Sequence, residues 1–282
     1  MLLGVHVSAQ GKIYEALERA HKLGCNTMQI FARNPQRWRA DFLEPQDIEE
    51  FKLKSQEFKI RPIFIHIPYL INLASPNPRL YDASIEAYIE DILEASVLGA
   101  DYIVTHMGSH KETSEAAGIK RLIDALNTIT ERTKSIRNIG ILLENTTGSG
   151  SWLGYKFIHQ KEILQGLQQK KRFGLCFDTA HAYLAGYDIS TKEGLAQTLD
   201  EIDKTVGLEL IKLIHLNDAR DKLGSRYDRH EHIGKGKIGI EGMRRIINHP
   251  RLKDIPFILE TPKDSDIADT VNLETVRGLK KN

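Results

Sequence analysis

The chain has 282 residues, 41% hydrophobic and 27% charged, with a formal net charge of +1. That length suits a single (β/α)8 barrel with a sizeable core, and the composition is that of a soluble globular protein. A charge near zero excludes recognition of a polyanion through a global positive field, so any such binding rests on local charge or on metal ions.

Eight short runs read as strands, at residues 2–8, 27–32, 62–67, 102–107, 140–145, 173–178, 211–217 and 256–261. Most are continuously apolar rather than alternating, as in a parallel sheet covered by helices. Helical patterns separate them, at 11–23, 45–58, 79–98, 116–133, 157–169, 191–206 and 239–248. In the third, Tyr81, Ile85, Tyr88, Ile89, Ile92, Leu93 and Val97 form an apolar stripe. Asn77-Pro78 offers its start and Gly99 its stop. Strict βα alternation predicts an α/β fold, and eight units with no GxGxxG or Walker loop predict a closed TIM barrel. No Pro- or Gly-rich linker divides the chain, so residues 1–282 read as one domain.

His66, His106, Glu144, Asp178, His215 and Glu260 each stand at the end of such a run, in IFIHIP, YIVTHMG, GILLENT, FGLCFDT, LIKLIHLND and FILETP. The intervals between them are 40, 38, 34, 37 and 45 residues, about one βα unit each. A chelating residue delivered once per unit to the C-terminal face of a barrel, where active sites lie, predicts one shared metal centre. His181, Asp228 and His230 lie in loops just downstream and could join it. Imidazole with carboxylate suits zinc, manganese or iron better than calcium or magnesium. Each residue alone has a plainer reading, as a core histidine, a loop cap or an ion pair; the set carries the specificity. His6 ends the first strand in the same ring and could touch a substrate, whereas His21, His159 and His249 read as surface residues on helical stretches.

The loops at that face are long: residues 32–42, 68–78, 146–155, 182–188 and 217–239. Arg33, Arg37 and Arg39 flank Trp38, Tyr69 and Leu70 follow the His66 strand, and the last loop carries Arg220, Lys222, Arg226, Arg229, Lys235 and Lys237. These offer local positive charge with aromatic rings among it. Cys25 and Cys176 have no paired spacing; Cys176 reads as a small core residue, and the two together suggest a reducing, cytoplasmic setting. The apolar part of MLLGVHV is too short for a signal peptide, and no run approaches the roughly 20 residues that span a bilayer.

The segments GVHVSAQGK, HIPYLINLASP, THMG, LLENTTGSGSWLGYKF, CFDTAHAYLAGYD, HLNDARDKLGSRYDRHEHIGKGKIG and FILETP, in this order along nearly the whole chain, resemble the endonuclease IV family of apurinic/apyrimidinic endonucleases. The resemblance implies a (β/α)8 barrel with three zinc ions that hydrolyses the phosphodiester 5′ to an abasic site in duplex DNA, leaving a 3′-hydroxyl and a 5′-deoxyribose phosphate, and that removes blocking groups from 3′ ends. It implies that His66 and His106 hold one ion, bridged through Glu144 to a second completed by Asp178, His215 and Glu260. His181, Asp228 and His230 would hold the third. Glu144 and Glu260 are the expected catalytic carboxylates, and manganese suits part of the same ligand set. The loop after the second strand departs from the family: Gln36 stands where an Arg enters the duplex, and Arg37 follows, leaving two candidates for insertion. With Trp38, Tyr69, Leu70, Arg226 and Arg229, these are the expected DNA contacts. A monomer is the default. The rival reading is a single-metal sugar isomerase or epimerase on the same barrel, which has no use for His66, His106, His181, Asp228 and His230.

Overall fold

The computed structural model describes residues 1–31, 33–39 and 43–281; of the loop at 32–42, residues 32 and 40–42 lie outside this range. Eight parallel strands form the sheet: β1 (Leu3–Val5), β2 (Met28–Phe31), β3 (Ile63–His66), β4 (Tyr102–His106), β5 (Gly140–Glu144), β6 (Phe173–Asp178), β7 (Ile211–His215) and β10 (Phe257–Leu259). Two-residue strands β8 (Asp218–Ala219) and β9 (His230–Glu231) pair as a separate antiparallel ribbon. The order round the sheet is β1-β10-β7-β6-β5-β4-β3-β2. It closes where β1 meets β2: His6 and Gln29 form a parallel bridge, and Val7 N–H donates to Gln29 O at 2.8 Å. At the other end of the seam Asn26 Oδ1 accepts from Leu3 N at 2.8 Å.

Helices α1 (Glu15–Lys22), α2 (Pro45–Glu57), α3 (Pro78–Leu98), α4 (Glu115–Arg132), α5 (Phe157–Gly166), α7 (Lys192–Thr205), α8 (Gly239–Ile247) and α9 (Ala268–Leu279) surround the sheet. Helix α3 shows why its ends fall where they do. Asn77 caps it by accepting from Leu80 N, Pro78 opens it, and Gly99 closes it in the left-handed region at φ 73°. Its buried face follows Ile85, Tyr88, Ile92 and Ala95. Leu93 and Val97, part of the stripe on sequence, are exposed; they lie about 80° and 120° round the helix from Ile85 at 100° per residue. A short α6 (Thr179–Ala185) replaces part of the loop expected at 182–188, and α9 falls outside the helical patterns read from sequence.

The barrel interior explains how the site is built. Phe64, Val104, Leu142, Cys176, Leu213 and Ile258 form one fully buried cluster, one residue from each of six strands. Side chains two apart on a strand point the same way. Two positions on from these six stand His66, His106, Glu144, Asp178, His215 and Glu260. The same step leads from Gly4 to His6 on β1 and from Thr27 to Gln29 on β2. Every strand thus supplies one polar group above an apolar plug. Gly4 is required in the plug, since a Cβ there would sit 1.9 Å from Thr27 O. Cys176 belongs to the plug, as expected, and burial pushes its thiol up to about 12.

Candidate metal centre

Strand register places the donors side by side: His106 opposite Glu144, and Asp178 opposite His215. The two oxygens of Glu144, which is fully buried, face different groups. Oε2 lies 3.1 Å from His66 Nε2 and 3.0 Å from His106 Nε2, while Oε1 lies 2.9 Å from His215 Nδ1. His215 Nδ1 also faces Glu260 Oε2 at 3.2 Å and Asp178 Oδ2 at 3.9 Å. Asp178 caps α6 by accepting from His181 N at 2.6 Å, which turns His181 back over the barrel. His181 Nε2 then lies 3.1 Å from Asp228 Oδ1, and His230 Nε2 lies 3.6 Å from the same oxygen. All nine sequence-derived donors therefore meet at one end of the barrel: among the described residues they fall into three overlapping groups that share Glu144 and Asp178, with Asp228 beside His181, and a fourth group brings Cys176 to Glu144 and His215.

The outward-facing ring nitrogens show what these groups can hold. His66 Nδ1 meets Ile67 O at 2.7 Å, His181 Nδ1 meets Asn145 O at 2.9 Å, and His230 Nδ1 meets Glu260 O at 2.9 Å. His215 Nε2 meets Gln29 Oε1 at 2.8 Å. Each partner only accepts, so each of these nitrogens carries a hydrogen, and the nitrogen turned into the cluster is the one left to take a second proton or, once that is displaced, to offer a lone pair to a metal. Ring nitrogens facing carboxylate oxygens at 2.9–3.1 Å need a proton or a metal ion between them. Imidazole and carboxylate donors with their outer N–H groups fixed by carbonyl oxygens fit a zinc-type divalent ion.

Charge tells the same story. Burial pushes the Glu144 carboxyl up, but His106 and His215 beside it bring it well below the usual range. Burial also opposes the ionised form of Glu260, yet His215 beside it holds its carboxyl low. His181 is lowered by burial and raised more by Asp178 and Asp228, so it ends well above an ordinary imidazole. His215 is raised against burial as well, by Cys176, Glu260 and Glu144. The cluster demands positive charge, which protons supply in part and a metal ion would supply better.

The amides behind the donors escape a reading of the sequence. Asn145 Oδ1 accepts from Asp178 N at 2.8 Å; Asn217 Nδ2 donates to Asp178 Oδ2 at 2.7 Å, and its Oδ1 accepts from Glu260 N at 2.8 Å. The signal available is an Asn just after a ligand, in LEN and HLND. Asp218 organises the loop carrying Asp228 and His230. Its fully buried carboxylate accepts from the backbone N–H of Ala219, Gly234, Gly236, Ile238 and Gly239 at 2.8–3.3 Å.

A cavity of about 330 Å³ opens over the donors, lined by Tyr69, His106, His181, Asp228, His230, Glu260 and Pro262. A smaller one of about 160 Å³ adjoins it, lined by Tyr69, Trp152, Thr146, Thr147 and Ser149 together with His106, His181 and Asp228. Tyr69 is exposed with its ring 5.4 Å from that of His106, and Leu70 is half-buried. Gln36, Arg37 and Trp38 are exposed on the turn after β2, where Gln36 N and Arg37 N both donate to Asn34. Arg226 lies over the Tyr155 ring at 4.6 Å and Arg229 over the Tyr227 ring at 5.6 Å.

Two sequence expectations fail here. Arg33 is buried, not a surface contact: Nε donates to Asp91 at 2.7 Å, and the other nitrogens reach Trp38 O and Ala87 O. His159 is buried, not on the surface. Its Nδ1 accepts from Gly154 N at 3.1 Å and its Nε2 lies 3.4 Å from Glu115, which fixes the loop before α5. Loop packing, invisible to helical periodicity, decides both. His6, expected in the ring, is there; it meets Gln29 and Glu260.

A family model described as a xylose isomerase-like TIM barrel matches residues 17–281. A probable endonuclease 4 from Halothermothrix orenii is 42% identical over 277 residues, covering 97% of this chain and 99% of that protein. Another from Methanoculleus marisnigri is 41% identical over 279 residues, covering 99% of each. Among solved structures, endonuclease IV from Thermus thermophilus superposes with a TM-score of 0.89 at 36% identity, over 99% of this chain and 98% of that one. A D-tagatose 3-epimerase-like protein matches with a TM-score of 0.73 at 22% identity, over 99% of this chain and 97% of that one, a likeness of fold alone.

Proposed function

The chain belongs to the endonuclease IV family, and we propose on that premise that it hydrolyses the phosphodiester 5′ to abasic sites in duplex DNA, leaving a 3′-hydroxyl and a 5′-deoxyribose phosphate, and that it clears blocked 3′ ends. The observation that carries the reading is the fully buried Glu144, whose two oxygens face His66 and His106 on one side and His215 on the other. A one-metal isomerase would leave His66, His106, His181, Asp228 and His230 without work.

His66, His106 and Glu144 would hold one zinc ion, Glu144, Asp178, His215 and Glu260 a second, and His181, Asp228 and His230 a third; manganese suits part of this set. When bound, such ions supply Lewis acidity toward phosphate oxygens and lower the pKa of water. Glu260 would orient the attacking water and take its proton; the hold of Gln29 on Oε1, with Oε2 facing the cluster, supports this role. Tyr69 and Trp152 wall the cavity beside the donors and would admit a sugar-phosphate while crowding an intact base. A nucleotide without a base has no stacking to lose, so bringing it there costs little. Gln36, Arg37, Trp38, Tyr69, Leu70, Arg226 and Arg229 would grip the duplex from the loops.

The test is a labelled duplex carrying one abasic analogue, incubated with protein whose metal content has been measured. The expected product is a single cut on the 5′ side with a 3′-hydroxyl. No cut by metal-loaded protein, or cutting only 3′ to the lesion by elimination, would overturn the reading.

A further inference from the structure

We propose that Gln29 is a positioning residue for the metal centre, setting His215 in the tautomer that ligates and holding Glu260 in the orientation it needs; this rests on the metal-centre reading above. Gln29 stands in the ring of eight strand-end residues, but its neutral amide is a far weaker donor than the imidazoles and carboxylates around it. Its side chain is fully buried in the strand MQIF. A buried amide is stabilised only when its hydrogen bonds are made.

Each polar atom has a partner, and two of the three partners are ligands. Oε1 faces His215 Nε2 at 2.8 Å. Nε2 faces Glu260 Oε1 at 2.6 Å and His6 Nδ1 at 2.9 Å. The amide cannot be turned over, because its oxygen would then meet the Glu260 carboxylate at 2.6 Å, and a carboxylate oxygen only accepts. The orientation fixes the protons. His215 carries a hydrogen on Nε2 whatever its charge, which leaves Nδ1, facing Glu144, Asp178 and Glu260, as the nitrogen that would ligate once its proton is displaced. Glu260 has Oε1 engaged, which leaves Oε2 directed at the same point. His6 Nδ1 accepts, so His6 carries its hydrogen on Nε2. One side chain thus couples a ligand on β7 to a carboxylate after β10, from across the seam where the barrel closes.

Two variants separate the functions. Gln29→Leu removes both the acceptor and the donor. Gln29→Glu keeps an acceptor for His215 but places a second carboxylate against Glu260. Zinc retained per chain is measured by elemental analysis against increasing chelator, together with KM and kcat for abasic duplex. The Leu variant is expected to lose one equivalent of zinc at roughly ten- to a hundred-fold lower chelator than the wild type. The Glu variant is expected to lower kcat at least tenfold with KM unchanged. A folded Leu variant that keeps all its zinc at wild-type chelator concentrations overturns the proposal. If the Leu variant does not fold, the Glu variant decides, and wild-type kcat there overturns it. Wild-type protein that binds no zinc overturns the metal reading itself, and this proposal with it.

Discussion

His181 Nε2 and His230 Nε2 face each other at 3.4 Å, each ring having its other nitrogen on a backbone carbonyl. Two ring nitrogens so close, with Asp228 beside them, mark a place for one shared cation. His181→Ala or Asp228→Ala is expected to lower zinc from about three ions per chain to about two. Elemental analysis reads this directly, and a variant with full zinc and full activity would show that the triad holds no ion.

Metal uptake should release protons. His181 and His215 are raised well above an ordinary imidazole in the metal-free cluster, so they hold protons more tightly than a free ring and a metal must displace those protons. Affinity for zinc is therefore expected to rise with pH from 6.5 upward. Stability of the metal-free protein should run the other way. A raised pKa contributes stability that is present below the unfolded value of 6.5 and is lost as pH climbs through the folded one. Titration calorimetry in buffers of different ionisation enthalpy counts the protons; none released near neutral pH would contradict the charge assignment.

Glu260→Gln is expected to bind abasic duplex near normally and cut it at least a hundredfold more slowly, since a group that acts on the attacking water matters chiefly in the transition state. Single-turnover rates at saturating protein check this. A variant that cuts normally would remove Glu260 from the chemistry.

Arg33→Leu would leave Asp91 buried without its partner and is expected to cost about 3 to 5 kcal/mol in stability. Zinc content and the salt dependence of DNA binding should stay as they were, because the guanidinium is turned inward. Urea melts together with binding isotherms across salt distinguish an anchor from a contact. Unchanged stability with a shallower salt slope would make Arg33 a phosphate ligand after all.

Gln36→Ala with Arg37→Ala should weaken binding of abasic duplex and leave zinc unchanged. Loss of a phosphate contact by Arg37 would reduce the salt slope by about one, whereas loss of an inserted side chain would leave the slope and reduce discrimination against intact DNA. Binding of both duplexes across salt reads the two outcomes. If affinity, slope and discrimination all hold, the turn after β2 is only a connection.

The donors on the strands are legible because a barrel repeats its geometry. A residue two positions past a buried apolar one points the same way, so a chelating type recurring once per βα unit reveals the ring. Gln29 and His6 sit at the same step, yet Gln29 has no ligand chemistry to betray it, and only its contacts with His215 and Glu260 give it a role. Asp178 shows why α6 is hard to see: DTAHAYLA is short, and the aspartate that caps it reads first as a ligand. Arg33 and His159 mislead a reading by residue type, because their partners Asp91 and Glu115 lie on other helices. Charge on a loop says nothing of which way the loop folds it.

Asp218 has a bearing on how the protein behaves when its ions are stripped. Five backbone N–H groups wrap its carboxylate and pin the two ends of the segment from Ala219 to Gly239, while Arg220 N to Arg229 O, Gly224 N to Tyr183 O and Arg226 N to Leu184 O hold its middle, so the segment is shaped by the chain's own oxygens. Asp228 and His230 are carried on that shaped segment rather than gathered by the ion they would share. Loss of the ion then need not erase the place it came from. A centre built this way would be emptied and refilled as a memory held in the backbone, with recovery expected to be limited by ion supply instead of by refolding.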